Sequence, residues 1–357
     1  MIHLPRLVYL DSCVKEINKH RYPRTNDIFK RKCIIPPHKI SLTNLGEIKP
    51  ISAFNPGILL ENNILEIYAR IIIGYFKYAS IIAKIDLPLD SLENSVFSKE
   101  IDAKVVVGPD TWLDIWGAED PRVFYLNKNK VMVYTGKTEK FYESSYNRTV
   151  PVIAVYDKST DKWTKVSYIA VPHPLDKLVI FNKDAFLVKM PGDKKIHVFH
   201  RPVIANFPTS LWYGTSSKEI STESKNIDPL VIEDNRIVQL PSEFEYNIGW
   251  STPLIEVDGK YIEIAHAQCS DRYYRLYALE LEYSEDKGFE ITGVSETYIM
   301  EPKELYEKYG DRPCVVFACG ACIVKDKIIV SYGAGDYFIG LAETSISDLL
   351  STIKRIK

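Results

Sequence analysis

Arg122-Val123-Phe124-Tyr125-Leu126-Asn127-Lys128-Asn129-Lys130-Val131-Met132-Val133-Tyr134-Thr135 is the stretch that decides the fold. Two runs rich in β-branched and aromatic residues flank a turn of Asn and Lys. Such runs suit a pleated, half-buried surface, and Asn tolerates the left-handed backbone that a tight turn requires, so the stretch reads as a β-hairpin. Immediately upstream lies Gly117-Ala118-Glu119-Asp120-Pro121-Arg122, close behind Trp112 and Trp116. Proline fixes its own backbone and pushes Asp120 towards an extended conformation. Arg122 is near enough in sequence to hold a neighbouring carboxylate. A carboxylate held rigidly beside aromatic surface is what an acid catalyst acting on a sugar requires. A strand-entry turn with a surface ion pair is the plainer reading of the same residues.

Outward from this hairpin the grammar repeats. Ile51 to Leu60 and Ile64 to Tyr68 flank Glu61-Asn62-Asn63. Ala185 to Val188 and Ile196 to His200 flank Gly192-Asp193-Lys194. Leu254 to Val257 and Tyr261 to Ala265 flank Asp258-Gly259-Lys260, and Ala321 to Val324 and Ile328 to Tyr332 flank Lys325-Asp326-Lys327. Five hairpins at a spacing of roughly 55 to 75 residues, each followed by more strand-like sequence, predict an all-β chain built as a five-bladed β-propeller, with a two-sheet sandwich as the structural competitor. Helices are expected only over Lys303 to Lys308 and in the tail from Ser345 to Ile356, where Ser347 and Asp348 offer N-terminal caps. Residues 1–44, mixed and charged, read as a leader packed on the body. Residues 45–357 then form the propeller with its short C-terminal helix.

Composition narrows the function classes. With 357 residues, 46% hydrophobic, 26% charged and a net charge of −2, the chain has ample core and no basic excess that would suggest nucleic acid. No apolar run approaches the roughly 18 residues of a membrane span. The start, Met1-Ile2-His3-Leu4-Pro5-Arg6, is neither a signal nor a transit peptide, and six cysteines sit in no regular framework, which points to a reduced cytoplasm. Cys319-Gly320-Ala321-Cys322 has no second pair and no nearby histidine, so buried thiols on a strand are expected there and not a metal centre. The leader and the exposed tyrosines are where a homo-oligomer interface would be sought.

Each hairpin or its flank also carries a polar cluster where an apolar strand would not want one: Phe54-Asn55-Pro56-Gly57 with Arg70; Glu119-Asp120-Pro121-Arg122; Lys183-Asp184 with His200-Arg201-Pro202; Ala265-His266-Ala267; and Tyr332-Gly333-Ala334-Gly335-Asp336. In a propeller, corresponding loops of all blades meet at the axis, so these clusters would converge. Singly, each residue is equally well a solvated turn charge or half of a buried ion pair.

On these motifs, together with Val316-Phe317-Ala318-Cys319-Gly320-Ala321 and Ile339-Gly340-Leu341-Ala342, the chain resembles glycoside hydrolase family 130, the mannoside phosphorylases and their hydrolytic relatives, from about residue 45 to 350. The resemblance implies a five-bladed propeller and inverting phosphorolysis of β-1,2- or β-1,4-linked mannosides to α-mannose 1-phosphate. It makes Asp120 the general acid, working through a sugar hydroxyl. Asn55, Arg70 and Asp336 would hold the transferred mannosyl unit, and Lys183, Arg201 and His266 would bind phosphate. Phosphate as nucleophile removes the need for a glycosidase's second carboxylate. Arg offers its oxygens a fork, and Lys and His supply charge. No metal or organic cofactor is implied beyond inorganic phosphate as co-substrate. A β-mannosidase of the same family, with Glu119, Glu243 or Glu245 activating water, and a non-catalytic carbohydrate-binding propeller are the alternatives.

Overall fold

Because nearly every apolar run is short, β-branched and closed by a turn residue, the chain folds back on itself as antiparallel strands. The computed structural model describes residues 8–75, 79–93, 99–220 and 226–356. The first seven residues, on which the reading of the start rests, lie outside them. The all-β expectation is met, with α-helix among the described residues confined to Val14–Lys19, Leu305–Lys308 and Ile346–Ser351. No helix among the described residues is long and apolar enough to cross a membrane.

The strands group into antiparallel units. Ser52–Glu61, Ile64–Ile72, Ile81–Pro88 and Ile101–Val107 form the first, and Ala118–Leu126, Asn129–Lys137, Thr149–Asp157 and Lys162–Ala170 the second. Val179–Val188, Ile196–Ile204, Leu211–Ser216 and Asp234–Gln239 form the third. The fourth contains Glu245–Trp250, Lys260–Cys269, Tyr274–Ser284 and Gly288–Ser295. The fifth contains Val316–Val324, Lys327–Ala334 and Phe338–Ser345, with Lys30–Ile35 as its outer strand. A single pairing, Thr149 with Phe181, joins the second unit to the third.

The core lies between units, as it must when both faces of a sheet are apolar. Ile82 and Val107 of the first unit pack with Val123 and Met132 of the second. Ile153, Phe199 and Tyr277 share one cluster across units two to four. Ile264 and Ala278 meet Val316 and Val330 across units four and five. Ile67 and Ile85 of the first unit pack with Ile329 and Leu341 of the fifth, so each unit has a neighbour on both sides.

Several details depart from the sequence reading. Lys30–Ile35, inside the segment read as a leader, pairs with Phe338–Ser345 and is part of the last sheet. Upstream, Val8–Leu10 runs parallel to Asp234–Gln239. Between them Arg21 is fully buried, with its guanidinium 3.6 Å from the centre of the Tyr277 ring and 2.9 Å from Glu245. The tail helix is capped by Ser345, whose Oγ accepts from the Asp348 amide at 2.9 Å, and not by Ser347 or Asp348. It stops at Ser351, and Ile353–Arg355 adds a strand to the fourth unit. Cys319 and Cys322 lie on the inner strand of the fifth unit, and none of the six cysteines forms a disulfide among the described residues.

Candidate active site

The inner strand of each unit is bulged near its start: the ladder skips between Phe54 and Gly57, Glu119 and Arg122, Lys183 and Phe186, Glu245 and Asn247, and Ala318 and Gly320. A bulge bends the strand and re-aims a side chain, and bulges gather beside functional sites. Asp120 sits in the second of these with φ +50°, left-handed and not extended as the following proline suggested. The clash with proline disfavours the right-handed helical region, and Asp is among the few residues that accept the left-handed one. Arg122 secures the turn by donating from one terminal nitrogen to the Asp120 carbonyl at 2.9 Å.

All seven residues singled out in the sequence line one cavity of about 400 Å³ where the units meet: Asn55, Arg70, Asp120, Lys183, Arg201, His266 and Asp336. Asp120 Oδ1 accepts from Asn55 Nδ2 at 2.9 Å and from Arg70 at 3.4 Å. Arg70 also pairs with Glu119, and so does Lys137, which leaves Glu119 clamped between two cations. Burial pushes the Glu119 carboxyl up, but Arg70, Lys137 and Lys183 more than offset it and hold it below its ordinary range. Asp336 lies in the same field with the opposite outcome. Burial, against the opposing charge of Arg70 and with Asp120 adding repulsion, pushes it up to about 6. Gly333 is required here because a Cβ would run into the Asn55 amide.

The basic groups stand on two other units. Lys183 and Arg201 are partners across an antiparallel pair and so share a face. His266 Nδ1 lies 2.8 Å from Ser251 Oγ, and its ring packs on Phe317 at 4.3 Å. Burial pushes His266 down to about 3, so it is a neutral imidazole at physiological pH. The charge expected of the basic set therefore rests on Lys183 and Arg201.

Lys137, Arg312 and Tyr274 also line the cavity and carried no role in the sequence reading. Lys137 closes the apolar strand Val131 to Tyr134 with a buried charge, which is the signal that could have found it. Arg312 and Tyr274 form a cation–π pair at 4.5 Å in the cavity wall. Of the acids named for a hydrolytic alternative, Glu119 lines the cavity but Glu243 and Glu245 do not. Glu243 is exposed, and Glu245 is buried against Arg21, Tyr298 and the Ser242 amide. No group of three His, Cys, Asp or Glu with metal-ligand geometry occurs among the described residues.

Hydrogen-bonded carboxylates that share an open polar cavity with a lysine and an arginine are an arrangement suited to a hydroxyl-rich substrate together with an anion. The chain belongs to glycoside hydrolase family 130, whose model, described as β-1,4-mannooligosaccharide phosphorylase, matches residues 19–355. It is 28% identical over 308 residues to a 1,2-β-oligomannan phosphorylase of Thermoanaerobacter sp. (strain X514), covering 85% of this chain and 93% of that one. It is 26% identical over 254 residues to a β-1,2-mannobiose phosphorylase of the same organism, covering 70% and 74%. Among solved structures, the β-1,2-mannobiose phosphorylase of Listeria innocua superposes with a TM-score of 0.68 at 18% identity, covering 89% of this chain and 96% of that one.

Proposed function

We propose that this protein is an inverting β-mannoside phosphorylase built as a five-bladed β-propeller, with residues 30–35 included in the last blade. β-1,2-Linked mannosides are its first candidate substrates, because both relatives above are named for them. Asp120 supplies the proton that leaves with the acceptor oxygen as the C1–O bond breaks. Inorganic phosphate forms the new C1–O bond from the opposite face and yields α-mannose 1-phosphate. Asn55, Arg70 and Asp336 hold the mannosyl unit, and Lys183, Arg201 and neutral His266 take the phosphate. No metal or organic cofactor is part of this chemistry, and cysteines without disulfides agree with a reducing cytoplasm.

The observation that carries the reading is the meeting of Lys183, Arg201 and His266 with Asp120 in one cavity that neither Glu243 nor Glu245 enters. The test is to incubate the protein with β-1,2- and β-1,4-mannobiose, with and without phosphate, and assay mannose 1-phosphate. Mannose release that does not depend on phosphate would make the protein a hydrolase. No turnover on any mannoside, with sugar binding unchanged in Asp120→Asn, would make it a binding propeller.

A further inference from the structure

Asp120 has a counterpart one unit further along the chain. The ladder gap that contains Asp120 recurs in the first and third units, and the first residue skipped is left-handed each time: Asn55 at φ +47°, Asp120 at +50° and Asp184 at +51°. The same backbone device therefore delivers three short polar side chains. Asn55 and Asp120 meet at the cavity wall. Asp184 does not reach the cavity and is completely buried, although Lys183, Arg201 and His266 around it all line that cavity.

A buried carboxylate persists only with strong partners. Asp184 Oδ1 accepts from a terminal nitrogen of Arg122 at 3.1 Å, and Oδ2 accepts from Nε of Arg201. His266 Nε2 lies 3.6 Å from Oδ2. Gly249 leaves the room for this contact, since a Cβ there would meet both the His266 ring and Asp184 Oδ2. Arg201 is thus gripped by the side of its fork, and its two terminal nitrogens have no partner among the described residues. The other terminal nitrogen of Arg122 donates to the carbonyl of Asp120 itself.

We infer that Asp184 is the positioning residue of the anion site: it fixes Arg201 so that both terminal nitrogens face the cavity, and through Arg122 it ties the anion cradle to the peptide that presents Asp120. The inference rests on the phosphorylase reading of the cavity. A purely electrostatic role would have the opposite consequence, because a carboxylate beside an anion site opposes the anion. Replacing it by an amide of the same size would then strengthen phosphate binding. Positioning predicts weakening. Asparagine has one acceptor oxygen for two guanidinium groups, and its NH2 meets the second as donor against donor, so one fork must turn away.

The experiment measures initial rates of the full-length enzyme, varying phosphate at saturating mannoside and the reverse, together with calorimetric binding of inorganic phosphate alone. Asp184→Asn should raise the phosphate KM and Kd about tenfold or more, with the mannoside KM changed by less than about twofold. Arg201→Lys keeps the charge but has no Nε to grip. It should show the same loss even if Asp184→Asn fails to fold, and the double variant should lose little more than either single one. An unchanged or lowered phosphate Kd in folded Asp184→Asn, or wild-type phosphate affinity in Arg201→Lys, would overturn the inference and leave the phosphorylase reading intact. Wild-type protein that neither binds nor needs phosphate would overturn both.

Discussion

Of two cavities in this protein, the roomier is not the one where the polar motifs converge. Between the far ends of the first two units lies a space of about 720 Å³, against about 400 Å³ at the centre. Both are walled by buried charge. At the periphery Lys130 binds Glu61 and Glu66, each at 2.8 Å, and Lys84 binds Glu66 at 2.7 Å and Asp86 at 3.0 Å. Every one of these charges is matched: Lys84 by Glu66 on the neighbouring strand and by Asp86 on its own, and Lys130 by Glu61 and Glu66 of the adjoining unit. At the centre the groups arrive from all five units, and matching is incomplete: Lys183 has no ion pair among the described residues, and Arg201 is held by one edge only. Pairing at the boundary of two units consumes charge, whereas the meeting of five units leaves some of it facing the cavity. Volume does not separate the two, but the source of the groups does.

The sharpest way to break this contrast is to remove the proposed proton donor, Asp120. Asp120→Asn keeps the hydrogen-bonding size of the side chain and removes its ability to donate a proton. Phosphorolysis should fall about 10³-fold at saturating substrates, with mannoside binding retained. Retained turnover would mean that the central convergence has been misassigned. Next in size is Lys183→Met. One charge-assisted contact to phosphate is lost, so the phosphate KM should rise about 10- to 100-fold, with a smaller effect on the rate at saturating phosphate. Steady-state kinetics at two ionic strengths would check it, because the remaining phosphate dependence should also be less sensitive to salt.

A smaller effect concerns pH. Asp336 has an ordinary value of 3.8 and is pushed up to about 6 in the fold, first by burial. A carboxyl raised on folding costs nothing below about pH 4, where both states are protonated. The cost grows as pH rises from about 4 to 6 and is complete above that. Asp336→Asn should therefore melt a few degrees above the wild type at pH 7 and level with it at pH 4, while losing activity at both. A gain that is the same at the two pH values would show that ionisation of Asp336 is not the source.

How much of this was legible beforehand follows from where the signals lie. The hairpins were readable because their turns use residues that accept left-handed backbone, and Asn62, Asn63, Asn127, Asp258, Gly259 and Lys325 all adopt it. The seven cavity residues were readable because polar clusters interrupt apolar strands at corresponding places. Asp184 stands in the sequence only as a neighbour of Lys183, since its partners Arg122, Arg201 and His266 are distant along the chain and nothing local marks it as buried. Lys30–Ile35 was read as leader because Lys30-Arg31-Lys32 looks like a solvated charge run. Its strand character comes from Phe338–Ser345, at the other end of the chain. Asp120 was misread locally for a related reason: the proline rule excludes one conformation and leaves two, and the choice between them is made by Arg122 and Asn55.

The least consequential change for chemistry should be one in the larger cavity, and that makes it the control for the whole contrast. Lys130→Met removes one of the two cations that flank Glu66 and leaves Lys84 in place. Burial alone would push the Glu66 carboxyl up, yet Lys130 and Lys84 together hold it below its ordinary 4.5. A lowered carboxyl stabilises the fold above its unfolded value, and that contribution is lost as pH falls through the folded one. Without Lys130 the depression shrinks. The variant should then lose about 1–3 kcal/mol at pH 7 by denaturant unfolding, and the gap should narrow as pH is lowered below about 4.5. Its KM for phosphate and for mannoside should stay within about twofold of wild type, because none of the groups around Glu66 belongs to the central set. A marked fall in turnover with stability intact would mean that the peripheral cavity also takes part in the reaction. Convergence of the five units would then no longer suffice to locate the site.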